Sequence, residues 1–360
     1  MPDSLQFYLP AYTAGQTAYE KLPPVVRPFG PRLLLAGGHK ALAAGRDRLL
    51  QAIQGTDLKL LDTLHYGNDC TLENAQALAD KAIALGAQVL CGMGGGRALD
   101  TVKAAGHLCG LPVVTLPTQA ATCAAVTGLS VLYDNQGHFD HFLRLRPPVH
   151  AFIDTTILAA APPHFLRAGL GDSLAKHVES LFAARGGQWT HADGLGLSIA
   201  EGLLDPILTH GPQAMQDAAI GKPSSALEAA ALASIVSTGC VSLLVREDYN
   251  GALAHSLYYA LEALPAARHL LHGDTVAWGA VVQLVLDDNL QKAALLKHLL
   301  RGLGIPDSLQ AMGLDITDSA LQQCLQSATS QPDMRCLPYA INGAMILRAV
   351  QRAEHLEQEG

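Results

Sequence analysis

The stretch Cys91-Gly92-Met93-Gly94-Gly95-Gly96-Arg97-Ala98-Leu99-Asp100-Thr101-Val102-Lys103 decides the fold. It follows the apolar run Gln88-Val89-Leu90 and leads into segment 97–109, whose apolar positions recur at helical spacing. Four of the five positions from Gly92 to Gly96 are glycine. Glycine permits positive φ and lets other groups come close to the backbone. A glycine turn between a strand and a helix presents unpaired N–H groups at the positive end of the helix dipole. That is an anion site, and in nucleotide-binding folds the anion is a phosphate. The spacing G-M-G-G-G matches neither G-x-G-x-x-G nor G-x-x-x-x-G-K-[ST]. Taken alone it reads equally as a phosphate cradle or as a tight turn followed by a solvated Asp100–Lys103 i,i+3 pair.

Outward from this turn, short β-like runs alternate with helical patterns. Arg32–Ala36, Leu58–Leu61, Gln88–Cys91, Pro112–Leu116 and Ala151–Asp154 read as strands. Segments 40–53, 71–86 and 97–109 read as helices. Residues 129–133 and 138–143 flank Asn135-Gln136-Gly137, a hairpin signal. Such alternation implies a parallel sheet covered by helices on both faces. Beyond Ala161-Pro162-Pro163 the β-branched runs almost vanish, and 195–211, 224–246, 251–264, 275–302 and 337–355 read as Ala/Leu-rich helices. The expected organisation is an α/β Rossmann-like domain over 1–160 and an all-α domain over 161–360.

The chain has 360 residues, 49% of them hydrophobic and 16% charged, enough apolar material for two cores. A net charge of −8 without a basic block argues against nucleic acid as a partner. The apolar runs read as shorter than the roughly 18 residues a membrane helix needs. The N-terminal stretch MPDSLQFYLPAYTAG lacks a basic n-region, so no signal peptide and a cytoplasmic location are expected. The seven cysteines are scattered, with no C-x-x-C pair, which disfavours a disulfide framework or a thiolate zinc site. The expected partner is a small-molecule substrate, with a homo-oligomer as an option.

Two further regions carry chemistry. Leu116–Gly128, LPTQAATCAAVTG, follows the next strand with three hydroxyls and little bulk. Ligands in open α/β sheets bind beyond the C-terminal strand ends, so both loops would line one crevice. In the helical half, His255 lies on one helix, and His269 and His272 lead into another. Asp172 is placed near the start of a further helix, where it reads as a ligand or an N-cap. Lys176 and Glu179 read as a solvated charged stripe. Two imidazoles and a carboxylate would make a three-ligand site with an open position, favouring Zn²⁺ or Fe²⁺ over Mg²⁺.

Four segments occur in order: GMGGGRALDTVKAAG, LPTQAATCAAVTGLSVLYDNQGHFD, RAGLGDSLAKHVES and AHSLYYALEALPAARHLLHGDTVAWG. Together they resemble the glycerol dehydrogenase branch of the iron-containing, metal-dependent alcohol dehydrogenases. The stretch around Ala120-Ala121-Thr122-Cys123-Ala124-Ala125 is similar to the bacterial hydroxycarboxylate dehydrogenase A type. The resemblance implies a dehydroquinate synthase-like fold with a cleft between its two domains. It also implies NAD(H) or NADP(H) and one divalent metal, zinc first, with iron or manganese as alternatives. Carried over by motif, Asp172, His255 and His272 are the metal ligands, through which catalysis runs, and His269 falls at a variable position. Gly94, Gly95 and Gly96 form the pyrophosphate loop. Asp100, Thr118, Thr122, Thr127, Leu129 and Tyr133 line the cofactor.

Two departures shape the functional expectation. Glycerol dehydrogenases carry an Asp against the polyol where this chain has Cys123, so Cys123 is assigned to the substrate site. A carboxylate that would repel an acidic substrate is absent there. NAD-preferring members have an acidic residue after the first strand to hold the ribose hydroxyls, whereas Ala36-Gly37-Gly38-His39-Lys40 has none. The expected activity is therefore reversible hydride transfer between NAD(P)(H) and a small secondary alcohol or ketone, a 2-hydroxy or 2-oxo acid by preference, with a tilt to NADPH. The alternatives are a glycerol or other polyol dehydrogenase and, more remotely, a phosphate-eliminating cyclase of the dehydroquinate synthase kind. Such a cyclase would use Glu rather than Asp172 as its metal carboxylate.

Overall fold

The structure, a computed structural model, describes residues 7–356. The first six residues, part of the stretch read above for a leader, lie outside the described residues. The chain forms two compact units, Met1–Leu166 with Gln216–Leu243, and Arg167–Met215 with Leu244–Gly360.

The first unit is built on a six-stranded parallel sheet. Its strands are β1 (Tyr12–Gly15), β2 (Arg32–Gly37), β3 (Lys59–His65), β4 (Val89–Gly94), β5 (Val113–Pro117) and β8 (His150–Asp154), in the order β1-β8-β5-β4-β2-β3. β6 (Leu129–Tyr133) and β7 (Phe139–Arg144) form the separate antiparallel hairpin expected around Asn135–Gly137. Side chains alternate across the sheet. Leu33, Leu35, Cys91, Met93, Val114 and Phe152 enter one core with Leu49 and Ile53 of helix His39–Ile53. Leu34, Ala36, Leu90 and Val113 enter the other, with Leu78 and Ala82 of helix Leu72–Ala84 and Val102 and Ala105 of helix Gly96–Cys109. Burial on both faces explains why the central strands read as continuous apolar runs. The chain runs outward from β2 to β3, then returns to the far side of β2 as β4. The C-terminal ends of β2 and β4 thus flank the topological switch point, where open sheets bind ligands.

The strands expected from sequence are present with ends displaced by a few residues. β1 was not expected; it is a four-residue strand at the edge of the sheet, too short for an alternating pattern.

The expected single boundary at 160 differs from the structure in one respect. Residues 216–243 are as helical as anticipated, yet they complete the first unit. Small side chains make this docking fit. Ser234 Oγ donates to Ala120 O at 2.9 Å, and a Cβ at Gly239 would collide with Val126. A helical texture in sequence reports the element but not the partner it packs on. The segment Ser225–Leu244 is also long and apolar enough to span a membrane by length and composition, correcting the expectation that no run reached that length. Its most apolar window is 61% buried, as a core helix would be.

In the second unit, helix His272–Leu286 is buried on nearly every side, with Trp278 fully enclosed. The expected single helix 275–302 is two, His272–Leu286 and Leu290–Leu303. Asp288, at φ 55°, breaks the run, and Asn289 caps the second helix by accepting from Lys292 N.

Candidate functional site

In the first unit, the glycines of the decisive stretch answer to specific neighbours. A Cβ at Gly95 would collide with the side-chain amide of Gln119, and one at Gly96 would sit 3.3 Å from Thr122 Oγ1. Gly94 has φ 154°, and its added Cβ would press on Ala98 at 2.8 Å. The close approach is thus made by the loop after β5, which the Thr118 N–H also ties to Gly94 O at 3.1 Å. Gly94–Gly96, Thr118 and Thr122 come together at the C-terminal ends of β4 and β5. Gly95, the N-cap of helix Gly96–Cys109, offers no side-chain cap, and the first turn holds no acidic residue. Its N–H donors at the positive helix end fit the pyrophosphate of a dinucleotide.

Asp100 and Lys103 form a buried pair instead of a solvated one: the carboxylate and ammonium lie 2.8 Å apart and are almost fully buried. Asp100 Oδ2 accepts from Val131 N at 3.1 Å. Lys103 Nζ donates to Leu129 O at 2.5 Å, to Thr127 O at 3.2 Å and to Thr127 Oγ1 at 3.4 Å. Burial pushes the Asp100 carboxyl up, against the pull of Lys103. Asp100, Thr127 and the Leu129 carbonyl therefore form an internal strut that ties the β6–β7 hairpin to the helix. Tyr133 lies beneath the Arg97 guanidinium, 4.9 Å from its ring centroid. Cys123 is half-buried, and its carbonyl accepts from Val126 N at 3.0 Å.

In the second unit, Asp172, His255 and His272 converge. One ligand atom from each lies within 4.8 Å of the others, the only such triad of His, Cys, Asp or Glu among the described residues. Asp172 Oδ1 is 3.7 Å from His255 Nε2 and 3.5 Å from His272 Nε2. Ligands at about 2.0–2.2 Å from one tetrahedral ion lie at comparable mutual separations. His269 is exposed and stands outside the group.

Close helix packing makes this convergence fit. Asp172 is not an N-cap; it lies in the middle of helix Pro163–Ala183. A Cβ at Gly273 would collide with the Ala168 backbone, and one at Gly171 with the Gly273 carbonyl. Asp172 and His272 are the chain neighbours of these glycines. Similarly, a Cβ at Gly279 would press on Ala254 at 2.8 Å, next to His255. Arg167 clamps Asp274 with two hydrogen bonds, at 3.1 and 2.6 Å, holding the first turn of helix His272–Leu286.

Glu179 is the residue that sequence reasoning misplaced. It is fully buried, as is most of Lys176, so there is no solvated stripe. Glu179 Oε2 accepts from His255 Nδ1, and Oε1 accepts from the N–H groups of Ala252 and His255, each at 2.8 Å. With the proton held on Nδ1, the Nε2 lone pair of His255 is directed to the site. Lys176 donates to Asn250 O and, at 3.3 Å, to its Oδ1. Burial would raise the Asp172 carboxyl, but the hydrogen bond and charge of His272, with His255 and Lys176, hold it at about 2. It is an anion at neutral pH. Glu179 follows Asp172 by two helical turns on one face, a spacing that could have placed it in the site.

The family model for iron-containing alcohol dehydrogenase matches residues 10–155. A glycerol dehydrogenase from Escherichia coli is 31% identical over 312 residues, 84% of this chain and 83% of the relative. Hydroxycarboxylate dehydrogenase A, also from Escherichia coli, is 30% identical over 323 residues, 88% of each chain. The solved structure of glycerol dehydrogenase from Schizosaccharomyces pombe superposes with a TM-score of 0.86 at 24% identity, covering 99% of this chain and 92% of that one, and so shares the fold.

Proposed function

The chain belongs to the iron-containing alcohol dehydrogenase family, and from that premise we propose that it interconverts a small 2-oxo acid and the matching 2-hydroxy acid, with NADPH preferred and zinc as the metal. At the coarser level it is a dehydrogenase using a nicotinamide cofactor and a divalent metal. The observation that carries the finer reading is Cys123, a thiol where the resemblance to glycerol dehydrogenases implies an Asp. The similarity to hydroxycarboxylate dehydrogenase A supports it.

When bound, the metal supplies Lewis acidity at the substrate oxygen, and the nicotinamide gives or takes the hydride. The protein's own groups prepare for both. Asp172 would hold the ion through a carboxylate oxygen and His255 and His272 through ring nitrogens, and this mixed donor set suits Zn²⁺, with Fe²⁺ and Mn²⁺ as competitors. Glu179 holds one imidazole in its ligating tautomer. The glycine loop presents N–H donors to the dinucleotide phosphates. Cys123 leaves the substrate position without a repelling charge.

A second reading, oxidation of glycerol or another polyol, is favoured by the names of several relatives at 31–32% identity. A panel of 2-oxo acids and polyols, run with NADPH and NADH after loading with Zn²⁺, Fe²⁺ or Mn²⁺, separates the two. Turnover of 2-oxo acids is expected to dominate. Strong glycerol oxidation without 2-oxo acid turnover overturns the first reading and leaves the second. Cys123→Asp is expected to cut 2-oxo acid turnover by roughly tenfold or more through charge repulsion.

A further inference from the structure

The buried ammonium of Lys176 is a group that the metal triad and the glycine loop leave unassigned. Asp172, Lys176 and Glu179 stand at i, i+4 and i+7 of helix Pro163–Ala183 and so share one face of it. Lys176 is 7% exposed. Its Nζ donates to Asn250 O and, at 3.3 Å, to Asn250 Oδ1. Asn250 Nδ2 donates in turn to Val245 O and Arg246 O, each at 3.4 Å, which fixes the amide with its oxygen toward the lysine. The ammonium acts electrostatically on Asp172, Glu179, His255 and Asp333, which come from three different elements, so it stands among them. An ammonium has three N–H donors. Two go to Asn250, and no acceptor among the described residues takes the third.

Burying a cation costs free energy unless another group answers its charge. Lys176 is held by two neutral oxygens, with one donor unspent, and that leaves a place for an anion. The carboxylates of Asp172 and Glu179 alone would repel an acidic substrate, and the ammonium offsets that repulsion. A 2-oxo or 2-hydroxy acid carries its carboxylate one bond from the reacting carbon, so its acid group falls beside the triad that would hold the ion. We propose that Lys176 binds the substrate carboxylate and makes the site select a 2-oxo or 2-hydroxy acid over a neutral ketone or polyol. The inference rests on the 2-oxo acid reading above. It gives that reading an attractive group, where Cys123 supplies only the lack of a repelling one.

Steady-state kinetics of the zinc-loaded enzyme with pyruvate and with hydroxyacetone, its neutral counterpart, reads the selection. Lys176→Met keeps an apolar stem and removes the charge. It is expected to raise KM for pyruvate about tenfold or more beyond any change for hydroxyacetone, the loss of one charge-assisted hydrogen bond. Lys176→Arg, which keeps the charge, is expected to keep the preference for pyruvate. Zinc titration against a competing chelator supplies a readout apart from turnover: taking a positive charge away from the triad leaves zinc affinity equal or higher. Equal losses for both substrates, or a loss of zinc affinity in Lys176→Met, overturn the carboxylate role and leave the 2-oxo acid reading standing. A wild-type enzyme that turns over hydroxyacetone or glycerol but not pyruvate overturns the reading and the inference together.

Discussion

At the scale of single residues, the proposed metal site depends on Glu179, which holds His255 from behind through Nδ1. Glu179→Gln keeps the shape but removes the charge that holds the proton on His255 Nδ1. Metal affinity is expected to fall about 10–100-fold, the usual cost of losing such a partner. Zinc titration against a competing chelator would read this directly, and His269→Ala should leave the affinity unchanged. Dialysis against a strong chelator is expected to remove activity, and one equivalent of zinc should restore it. The ligands themselves were legible in sequence only because four linked motifs fixed their identity; the spacings alone are too long to be diagnostic. Glu179 and Gln119 were not legible, because a polar side chain announces its type but not whether it is buried. Asp100 shows the same blindness from the other side. It stands near the loop in sequence, yet its carboxylate is turned inward to Lys103.

At the scale of elements, the glycines set the distances between helices. Gly273→Ala would drive a methyl group into the Ala168 backbone, which has no flexible end to yield. We expect a loss of about 2–4 kcal/mol in stability, within the range for severe overpacking, together with weakened metal binding. Chemical denaturation and metal titration of the same variant check both. Gly302→Ala is the matched control: it lies within helix Leu290–Leu303 with open space around it, and a gain of up to about 1 kcal/mol is expected. Strands and helices of the first unit were readable because both sheet faces are buried, which writes an apolar run for each strand. The edge strand β1 escaped because it buries little. The break at Asp287–Asn289 escaped because Leu- and Ala-rich sequence continues on both sides of it.

At the scale of the whole molecule, stability should depend on pH through a few buried carboxylates. Asp193 accepts from Arg246 Nη2 at 2.6 Å, from Arg246 N at 2.9 Å and from Thr190 N at 2.8 Å. Burial works to raise its carboxyl, but these bonds win and hold it well below the ordinary range. A depressed folded-state pKa stabilises fully above the unfolded value of about 3.9 and fades as pH falls below it. Melting temperature is expected to drop between about pH 4 and pH 2, with a shallower drop in Asp193→Asn. The division of the chain was only half legible. A change of texture near residue 160 marks where helices take over, but the return of residues 216–243 to the first unit leaves no compositional trace.

That return has a consequence for biogenesis. A nascent chain extruded only as far as Leu166 has every strand of the sheet but not the helices that close over the loop after β5. The loop after β5 gains its packing partners, Ser234 and Gly239, only once that later segment has been synthesised.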